Sequence, residues 1–423
     1  MQRINRHWGH FSGFLAVALL SLTLAACGGG GANQQSGEPI NWKPGTPPGP
    51  AQAPADDGAS ERQATSEATQ PPADGAATNP AESATSPTAA VADTNGSTAR
   101  LTQAQLEQFK PDEVGVIPVL EYHDITTNDA KEDQFTRPVK KFKADLQWLY
   151  DHNFFVIPMK DLITDNISAP AGKHPAVLTF DDSMGSQFRY IINDDGTKSI
   201  DPDSVVGILE AFYGQHPDFG RGGLFSVLPY YCFNWKSGEV FDDQTPFCQE
   251  KITWLLDHGY EIGNHTQDHQ DLADVDDDAF KKEIGQAILT LQALDPRVEA
   301  NILAMPKGNY PDKDKHPQQR DWLANGFDYN GKQIKLIGSL MVGAQPSYSP
   351  VSSSWDPVYI YRIQAFDGDW ALSDWFARFE AQPANLYTSD GNPNTVTLPA
   401  QLPPDLQGTF DEAKAADKEV IRY

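Results

Sequence analysis

The chain contains few cysteines and few basic residues for its length. Only three of its 423 residues are cysteine, and 32 Lys and Arg residues stand against 58 Asp and Glu, which gives a formal charge of −26. This deficit of positive charge argues against nucleic acid or an anionic membrane surface as a partner. It favours a neutral or cationic partner, or simply solubility. The sequence does not fix the oligomeric state, for which we favour a monomer.

Long apolar runs are absent beyond the N-terminal segment. Residues 1–27 begin with Arg3 and Arg6, continue through an apolar stretch and end in Leu24-Ala25-Ala26-Cys27, an order that predicts an export signal. The last four residues resemble the lipobox of bacterial lipoproteins, which implies a lipid on Cys27. An ordinary secretory signal that happens to contain cysteine is the alternative. We expect an exported protein that reaches the bacterial membrane only through that lipid and faces the periplasm or the exterior.

Aromatic and branched apolar residues are scarce between residues 28 and 105. This segment consists mainly of Ala, Pro, Ser, Thr, Gly and Gln, with Trp42 as an isolated exception. Such a composition cannot bury enough apolar surface to offset the entropy lost on ordering. It predicts a disordered, low-complexity linker. Residues 106–423 then form one large domain, of a size that α/β barrels often reach.

The two cysteines of this domain are Cys232 and Cys248. In an oxidising envelope they could close a loop of about 15 residues and stabilise the fold by roughly 3 kcal/mol. Two buried free thiols are the alternative.

Short apolar runs alternate with helical periodicity along the domain. The clearest helix is predicted for residues 280–294, and buried strands are predicted for residues 114–120, 154–158, 176–180, 224–228, 260–263 and 301–305. Strands that alternate with helices predict an α/β fold with a parallel sheet. Several strands end in polar residues, as at the active face of a barrel.

Two polar segments at strand ends predict the chemistry. Thr179-Phe180-Asp181-Asp182-Ser183 closes one apolar run, and His265-Thr266-Gln267-Asp268-His269 closes another. Alone, the Asp pair would be a solvated strand end and the His pair an accident of spacing. Together they offer the imidazole and carboxylate ligands of a catalytic zinc site, which keeps one position open for water. Three groups can hold the ion while the fourth carries the proton.

These segments resemble motifs of the polysaccharide deacetylases, the NodB-homology group called carbohydrate esterase family 4. The first resembles Thr-Phe-Asp-Asp-Gly, and the second resembles the His-(Ser/Thr)-x-x-His that follows Glu-Ile-Gly, here residues 261–263. Residues 305–308, Met-Pro-Lys-Gly, are similar to a third motif, Pro-x-Gly. The resemblance implies a distorted (β/α) barrel.

The resemblance also implies the roles of the site residues. Asp182, His265 and His269 would hold Zn²⁺ or another divalent ion such as Co²⁺, and Asp181 would be the general base. The backbone N–H of Lys307, which follows Pro306, would help to hold the oxyanion. Trp370 loosely matches the aromatic wall that the family places around the acetyl group.

Two features depart from the family pattern. The third motif usually carries an Arg that orients the catalytic Asp, and Ala304 stands in that place. The late His that serves as general acid has no counterpart, because no histidine follows His316. His123 is the best substitute, since Tyr122-His123-Asp124 resembles an early segment of exported members that act on exopolysaccharide. The alternative is a histidine that only lines the pocket.

The predicted function is metal-dependent hydrolysis of N-acetyl groups from a polysaccharide that contains N-acetylglucosamine, an exopolysaccharide or peptidoglycan, at the cell envelope. A catalytically weak carbohydrate-binding lipoprotein that retains the metal site is the alternative. A glycosidase that uses Asp181 and Asp182 as its acid pair is less favoured, because adjacent residues on a strand point to opposite faces.

Overall fold

The computed structural model describes residues 100–236 and 241–423. The predicted signal peptide with Cys27, and the linker up to residue 99, lie outside the described residues. Across the described part of the chain, no helix combines the length and the apolar character needed to cross a membrane.

Eight α-helices and sixteen β-strands occur among the described residues. The helices are α1 Gln103–Phe109, α2 Val139–Asp151, α3 Met159–Ile163, α4 Val205–Gln215, α5 Cys248–Asp257, α6 Asp277–Leu294, α7 Pro317–Asn325 and α8 Leu372–Ala381. The strands are β1 Val119–Tyr122, β2 Asp124–Thr126, β3 Thr136–Pro138, β4 Phe154–Val156, β5 His174–Phe180, β6 Tyr190–Ile192, β7 Lys198–Ile200, β8 Leu224–Val227, β9 Glu261–Asn264, β10 Ile302–Ala304, β11 Phe327–Tyr329, β12 Lys332–Ile334, β13 Gly338–Leu340, β14 Ile363–Gln364, β15 Thr395–Leu398 and β16 Glu419–Arg422.

The main sheet is parallel throughout. Its strand order is β13-β10-β9-β8-β5-β1-β14, with β4 paired to the start of β5. Backbone hydrogen bonds also join the two ends of this order: Met341 N–H donates to the Ile360 carbonyl at 2.9 Å, and Ala344 N–H donates to the Arg362 carbonyl at 2.9 Å. The sheet therefore closes irregularly on itself, and the predicted distorted (β/α) barrel is confirmed.

Alternate residues of the barrel strands belong to two separate apolar clusters. One cluster combines strand residues such as Leu120 and Leu178 with residues of the surrounding helices. The other contains their sequence neighbours Val119 and Val177, together with Leu224, Ile302, Leu340 and the buried side chains of α3, and it fills the barrel interior. Because strand side chains alternate, the residues two positions further along each strand also face the interior. On β1, β5 and β8 that next layer is polar, with Glu121, Thr179 and Ser226, whereas Ala304 continues the apolar cluster on β10.

The predicted first strand, residues 114–120, is wrong in its bounds. The regular strand β1 is Val119–Tyr122, and Val116 and Ile117 make only isolated bridges to Leu386 and Ser347. Pro118 lies at this boundary and has no N–H to donate to a sheet ladder, which confines it to the start of a strand.

The predicted boundary between linker and domain also needs correction. Residue 105 lies inside α1, which begins at Gln103 after the N-cap Thr102. The Thr102 side chain accepts from the Gln105 N–H, and the Gln105 side chain accepts from the Thr102 N–H, so a capping box starts the helix. The low apolar content that defined the linker does not reveal such a cap.

Cys232 and Cys248 form a disulfide with a Cα–Cα distance of 5.6 Å. The bridge joins the loop after β8 to the first residue of α5.

Candidate functional site

Three potential metal ligands converge at the C-terminal ends of β5 and β9. Asp182 follows β5, and His265 and His269 follow β9, which is separated from β5 only by β8. One ligand atom from each of the three lies within 4.8 Å of the others. Adjacent parallel strands end at one edge of the sheet, so two motifs distant in sequence meet there.

The spacing within this group fits a single small cation. Asp182 Oδ1 lies 3.1 Å from His265 Nε2 and 3.5 Å from His269 Nε2. Two ligand atoms that each lie about 2.0–2.1 Å from a tetrahedral zinc ion are roughly 3.4 Å apart. Two imidazoles and one carboxylate are also a ligand set found in catalytic zinc sites. The residues therefore fit a zinc-type ion.

Backbone contacts fix the orientation of His265. Its Nδ1 lies 2.9 Å from the Ala304 carbonyl oxygen, and this acceptor requires Nδ1 to carry the proton. Nε2 is then the nitrogen that faces Asp182 and would bind a metal. Burial lowers the pKa of His265, but Asp181 and Asp182 outweigh burial and raise it, so a metal ion would displace the Nε2 proton. Ala304 stands where the resemblance would place an Arg, and its carbonyl contacts His265.

The surroundings of Asp182 and His269 favour an ionised carboxylate on Asp182 and a neutral imidazole on His269. Burial raises the pKa of Asp182, but the His265 hydrogen bond and the neighbouring imidazoles outweigh burial and lower it. Burial, His265 and Lys307 lower the pKa of His269 to about 4. Both groups are thus held in the protonation states that ligate metal.

Five residues of this region have a left-handed backbone. Their φ angles are 74° at Asp182, 55° at Ser183, 70° at Thr266, 55° at His269 and 57° at Lys307. Residues other than glycine seldom adopt this region, and it is costly outside Asn and Asp. The turns after β5, β9 and β10 are therefore held in place by the surrounding fold.

A second group of charged residues lies beside the first, inside the barrel. Glu121, His123 and Asp181 bring one ligand-type atom each within 4.8 Å of the others. Arg362, which is completely buried, places its Nη2 2.8 Å from Asp181 Oδ2 and 3.2 Å from Glu121 Oε1. Its remaining nitrogens donate to the Met341 carbonyl at 2.7 Å and to Thr179 Oγ1 at 3.1 Å. We call Glu121, His123, Asp181 and Arg362 the buried charged cluster.

Arg362 was missed in the sequence. It precedes β14 and lies next to β1 in the barrel, whereas the expected Arg would stand at position 304 on β10. The signal was an arginine within the mainly apolar run of residues 358–366. A charged side chain in such a strand needs a buried partner, because burying an isolated charge is very costly.

The pKa values of the two carboxylates differ inside this cluster. Burial would raise the pKa of Asp181, but the guanidinium of Arg362, with His265 and His123, holds it below its usual range. Burial raises the pKa of Glu121 above its ordinary value, although Arg362 and His123 oppose this. Asp181 is thereby kept ionised and able to accept a proton.

Apart from Glu121 Oε1 and Arg362 Nη2, which face each other at 3.2 Å, two buried atoms of the cluster have no hydrogen-bond partner in the protein. They are Oδ1 of Asp181 and Nδ1 of His123. The other oxygen of Asp181 contacts Arg362, and the other nitrogen of His123 lies 3.8 Å from Glu121 Oε1. Buried polar atoms without partners are uncommon in folded proteins and call for an external partner. In each of these two side chains, one polar atom contacts the cluster and the other is available to a ligand.

The remaining predicted site residues lie at different distances from the metal ligands. Pro306 and Lys307 form a short turn after β10, and the Lys307 side chain is close enough to lower the pKa of His269. Trp370 is 44% exposed and packs against Trp375 and the Arg378 guanidinium. Those contacts do not include the metal ligands, so the substrate role of Trp370 stays a prediction.

A parallel barrel with a carboxylate–imidazole triad at its strand ends defines the class of protein as an α/β barrel with a candidate metal centre. Residues 233–319, which include His265, His269 and Lys307, match the family model described as polysaccharide deacetylase. The family resemblance in the sequence is confirmed by this match. No curated protein matches the chain.

Several solved structures are similar to this chain. They include a Streptococcus pyogenes deacetylase, PplD, in complex with acetate, at 15% identity and a TM-score of 0.43 over 62% of this chain and 97% of that one. IcaB from Ammonifex degensii is 16% identical with a TM-score of 0.40, covering 62% and 96% of the two chains. A de-N-acetylase from Aggregatibacter actinomycetemcomitans is 13% identical with a TM-score of 0.39, covering 61% and 98%.

Proposed function

We propose that the protein hydrolyses N-acetyl groups of a polysaccharide that contains N-acetylglucosamine, with a divalent metal such as Zn²⁺ as cofactor. The observation that carries the proposal is the convergence of Asp182, His265 and His269 beside Asp181. The family match and the similar structures, whose names include a de-N-acetylase, support the same reaction class. The exopolysaccharide or peptidoglycan identity of the polymer follows only from the resemblance.

Asp181 is suited to accept a proton from the attacking water. Its Oδ2 is held by Arg362 at 2.8 Å, and its Oδ1 has no partner in the protein. A bound zinc-type ion would supply a lowered water pKa and a polarised acetyl carbonyl. Because Arg362 keeps the carboxylate ionised and fixed, the free oxygen is a general base of defined position.

His123 is suited to give a proton to the leaving amine. It directly follows β1, two positions after Glu121, and Glu121 Oε1 lies 3.8 Å from its Nε2. The Nδ1 atom of His123 is buried without a partner in the protein, so it is the ring nitrogen that could contact the leaving amine. Phe135 packs edge-on against the imidazole at 5.0 Å and limits its rotation.

The turn at Lys307 would stabilise the negative charge that develops on the acetyl oxygen. Its left-handed backbone, φ 57°, reverses the chain directly after the strand that supports His265. A backbone N–H there, with the Lys307 ammonium near His269, would favour an anion in the transition state.

The alternative of a weak carbohydrate-binding lipoprotein depended on the missing Arg and late His. Arg362 makes the contact to Asp181 that an Arg at position 304 would make, although it comes from another strand. This contact favours catalysis over mere binding.

Acetate release from N-acetylglucosamine oligomers tests the proposal. We expect release by the full chain, loss with a chelator and recovery with added zinc. His123→Ala should lower turnover by ~10²–10⁴ without changing metal content, since general acid catalysis contributes about that factor.

His316→Ala is the matched control, because His316 lies before α7 and outside both clusters. It should retain full turnover. Acetate release that is indifferent to the chelator would contradict the metal role, and reducing ends without acetate would indicate a glycosidase.

We further propose that the protein is exported and lipid-anchored through Cys27, with the sequence order of residues 1–27 as support. The Cys232–Cys248 disulfide is consistent with an oxidising compartment. Metabolic labelling with a fatty acid that persists in Cys27→Ser would refute the anchor.

A further inference from the structure

We propose that Tyr230, Tyr231 and Trp235 form a binding surface for sugar units beyond the one that reacts, here called the aromatic platform. The platform lies in the loop between β8 and α5. This inference rests on the proposed function and extends it, because it specifies a substrate of several linked, uncharged sugar residues. No role for these three side chains follows from the reaction itself.

The platform is continuous with the metal ligands. The Trp235 ring meets His269 edge-on at 6.1 Å between ring centroids, and Tyr231 stacks on Trp235 at 4.4 Å and 22°. Tyr230 lies 5.0 Å from Tyr231 at 87°. The rings therefore lead stepwise away from the ligand His269, and a chain bound at the metal site can lie along them.

Tyr230 faces solvent. Its side chain is 75% exposed, more than any other large apolar side chain in the described part of the protein. Exposed aromatic groups are typical of binding surfaces, since Tyr and Trp combine an apolar ring with a polar edge. A pyranose ring has matching chemistry, with C–H groups on its faces and hydroxyl groups at its rim.

The loop that carries the platform is held at both ends by the catalytic region. The Gly185 N–H donates to the Trp235 carbonyl at 2.9 Å, and the Leu228 N–H donates to Ser183 Oγ at 2.8 Å. Residues 183–185 directly follow the ligand Asp182. The position of the aromatic rings is therefore tied to that of the metal ligands.

Helix α5 holds the middle of the same loop. The disulfide joins Cys232 to Cys248 at the start of the helix, and Lys251 Nζ lies 3.5 Å from the Phe233 carbonyl oxygen, with both side chains fully buried. Cys232 and Phe233 have left-handed backbones, with φ of 43° and 64°. A surface fixed before binding loses little entropy on binding, so the loop backbone that carries the rings is pre-organised.

The net charge of the protein favours an uncharged ligand for the aromatic platform. With a net charge of −26, the protein would repel an anionic polymer at long range. Stacking on aromatic rings needs no charge, so a neutral polymer of N-acetylhexosamine fits this surface. A ligand that reaches the platform must extend beyond one sugar unit, and affinity should therefore rise with chain length.

Isothermal titration of the full chain tests the platform without catalysis. The probes are N-acetylglucosamine and its β-1,4- and β-1,6-linked oligomers up to the hexamer, with a chelator present so that metal-dependent turnover is suppressed. We expect Kd to fall with length for at least one linkage. Tyr230→Ala should weaken hexamer binding by about tenfold, from the loss of about 60 Å² of apolar contact, and should not affect the monosaccharide.

Two controls separate stacking from folding. Tyr230→Phe keeps the ring and should bind the hexamer as the wild type does. Val420→Ala removes another exposed apolar side chain, on β16, and should have no effect. Thermal unfolding should be the same for all variants, because Tyr230 is exposed.

The outcomes distinguish the platform from the proposed reaction. Equal hexamer affinity for the wild type and Tyr230→Ala, or no length dependence in the wild type, overturns the platform even if acetate is released. Length-dependent binding that requires the Tyr230 ring, without acetate release in the metal-loaded protein, overturns the reaction and leaves the platform standing.

Discussion

Arg362 connects the catalytic carboxylate to the barrel closure. Its guanidinium contacts Asp181 and Glu121, and its backbone carbonyl accepts from Ala344 where the first and last strands of the sheet order meet. A lysine keeps the charge of arginine but presents a single ammonium instead of a planar set of donors. It cannot reach Asp181, Thr179 and the Met341 carbonyl together.

We therefore expect Arg362→Lys to lower turnover by about 10²-fold, because Asp181 loses its fixed orientation. Arg362→Met should in addition lower the free energy of unfolding by about 3–5 kcal/mol, since it leaves two buried carboxylates without their cation. Turnover, metal content and denaturant unfolding measure these effects.

Arg297→Lys is the control, because Arg297 pairs with Asp295 and Asp257 on the surface. It should retain activity and stability. Wild-type turnover in Arg362→Lys would show that the guanidinium does not position Asp181.

For single residues, the sequence predicted that the metal ligands lie together, but it did not predict that Arg362 contacts Asp181. Asp182, His265 and His269 converge because their motifs end neighbouring strands, which alternation and motif order could indicate. The partnership of Arg362 with Asp181 depends on closure of the barrel. No local pattern indicates that the strand near residue 360 returns beside β1.

Among the elements, the segment before β1 makes the fold sensitive to pH. Asp112 pairs by backbone hydrogen bonds with Thr388, and its side-chain Oδ1 accepts from the Val114 N–H at 3.1 Å. Its other oxygen is buried without a partner. Burial outweighs the Val114 hydrogen bond and raises the pKa of Asp112 to about 7.

The native state therefore binds this proton more tightly than the unfolded chain, whose Asp has an ordinary pKa near 4. Between about pH 4 and pH 7 the free energy of unfolding should fall as the pH rises, by up to about 4 kcal/mol from this group. Asp112→Asn should remove that part of the pH dependence. Urea unfolding at pH 5 and pH 8 measures it.

Asp274→Asn, at an exposed position, is the control and should leave the pH profile unchanged. An Asp112→Asn profile that coincides with the wild-type profile would mean that Asp112 is ionised in the native protein. The neighbouring Glu113, whose pKa burial also raises, is present in both proteins and adds the same slope to each.

Apolar pattern predicted some elements and not others. Strands β5, β8 and β9 and helix α6 carry the apolar residues from which they were predicted, and α6 begins after the N-cap Asp276. Helix α7 has the sequence Pro-Gln-Gln-Arg-Asp-Trp-Leu-Ala-Asn and only two buried side chains. Its sequence therefore shows little helical periodicity of apolar residues. The pair β15 and β16 joins distant segments and could not be found locally.

For the whole molecule, metal binding should stabilise the fold. The ligands come from turns after two strands of one barrel, so an unfolded chain does not present them together. Zinc at 100 times its Kd should raise the free energy of unfolding by about 2.7 kcal/mol. Thermal and urea unfolding with zinc and with chelator measure the difference.

His269→Ala is the matched variant, because it removes one ligand and leaves the His265–Asp182 contact. It should unfold alike with and without zinc. Equal stability of the wild type under both conditions would contradict a preformed site.

The left-handed turns that carry Ser183, Thr266 and Lys307 set a limit on engineering this protein. Glycine adopts such φ angles without steric cost, so replacing these residues with glycine would relieve local strain in the native backbone. The same exchange would increase the freedom of the neighbouring ligands and of the oxyanion turn. Variants selected only for heat resistance should therefore accumulate changes away from these three turns, and a gain made inside them should come with slower turnover.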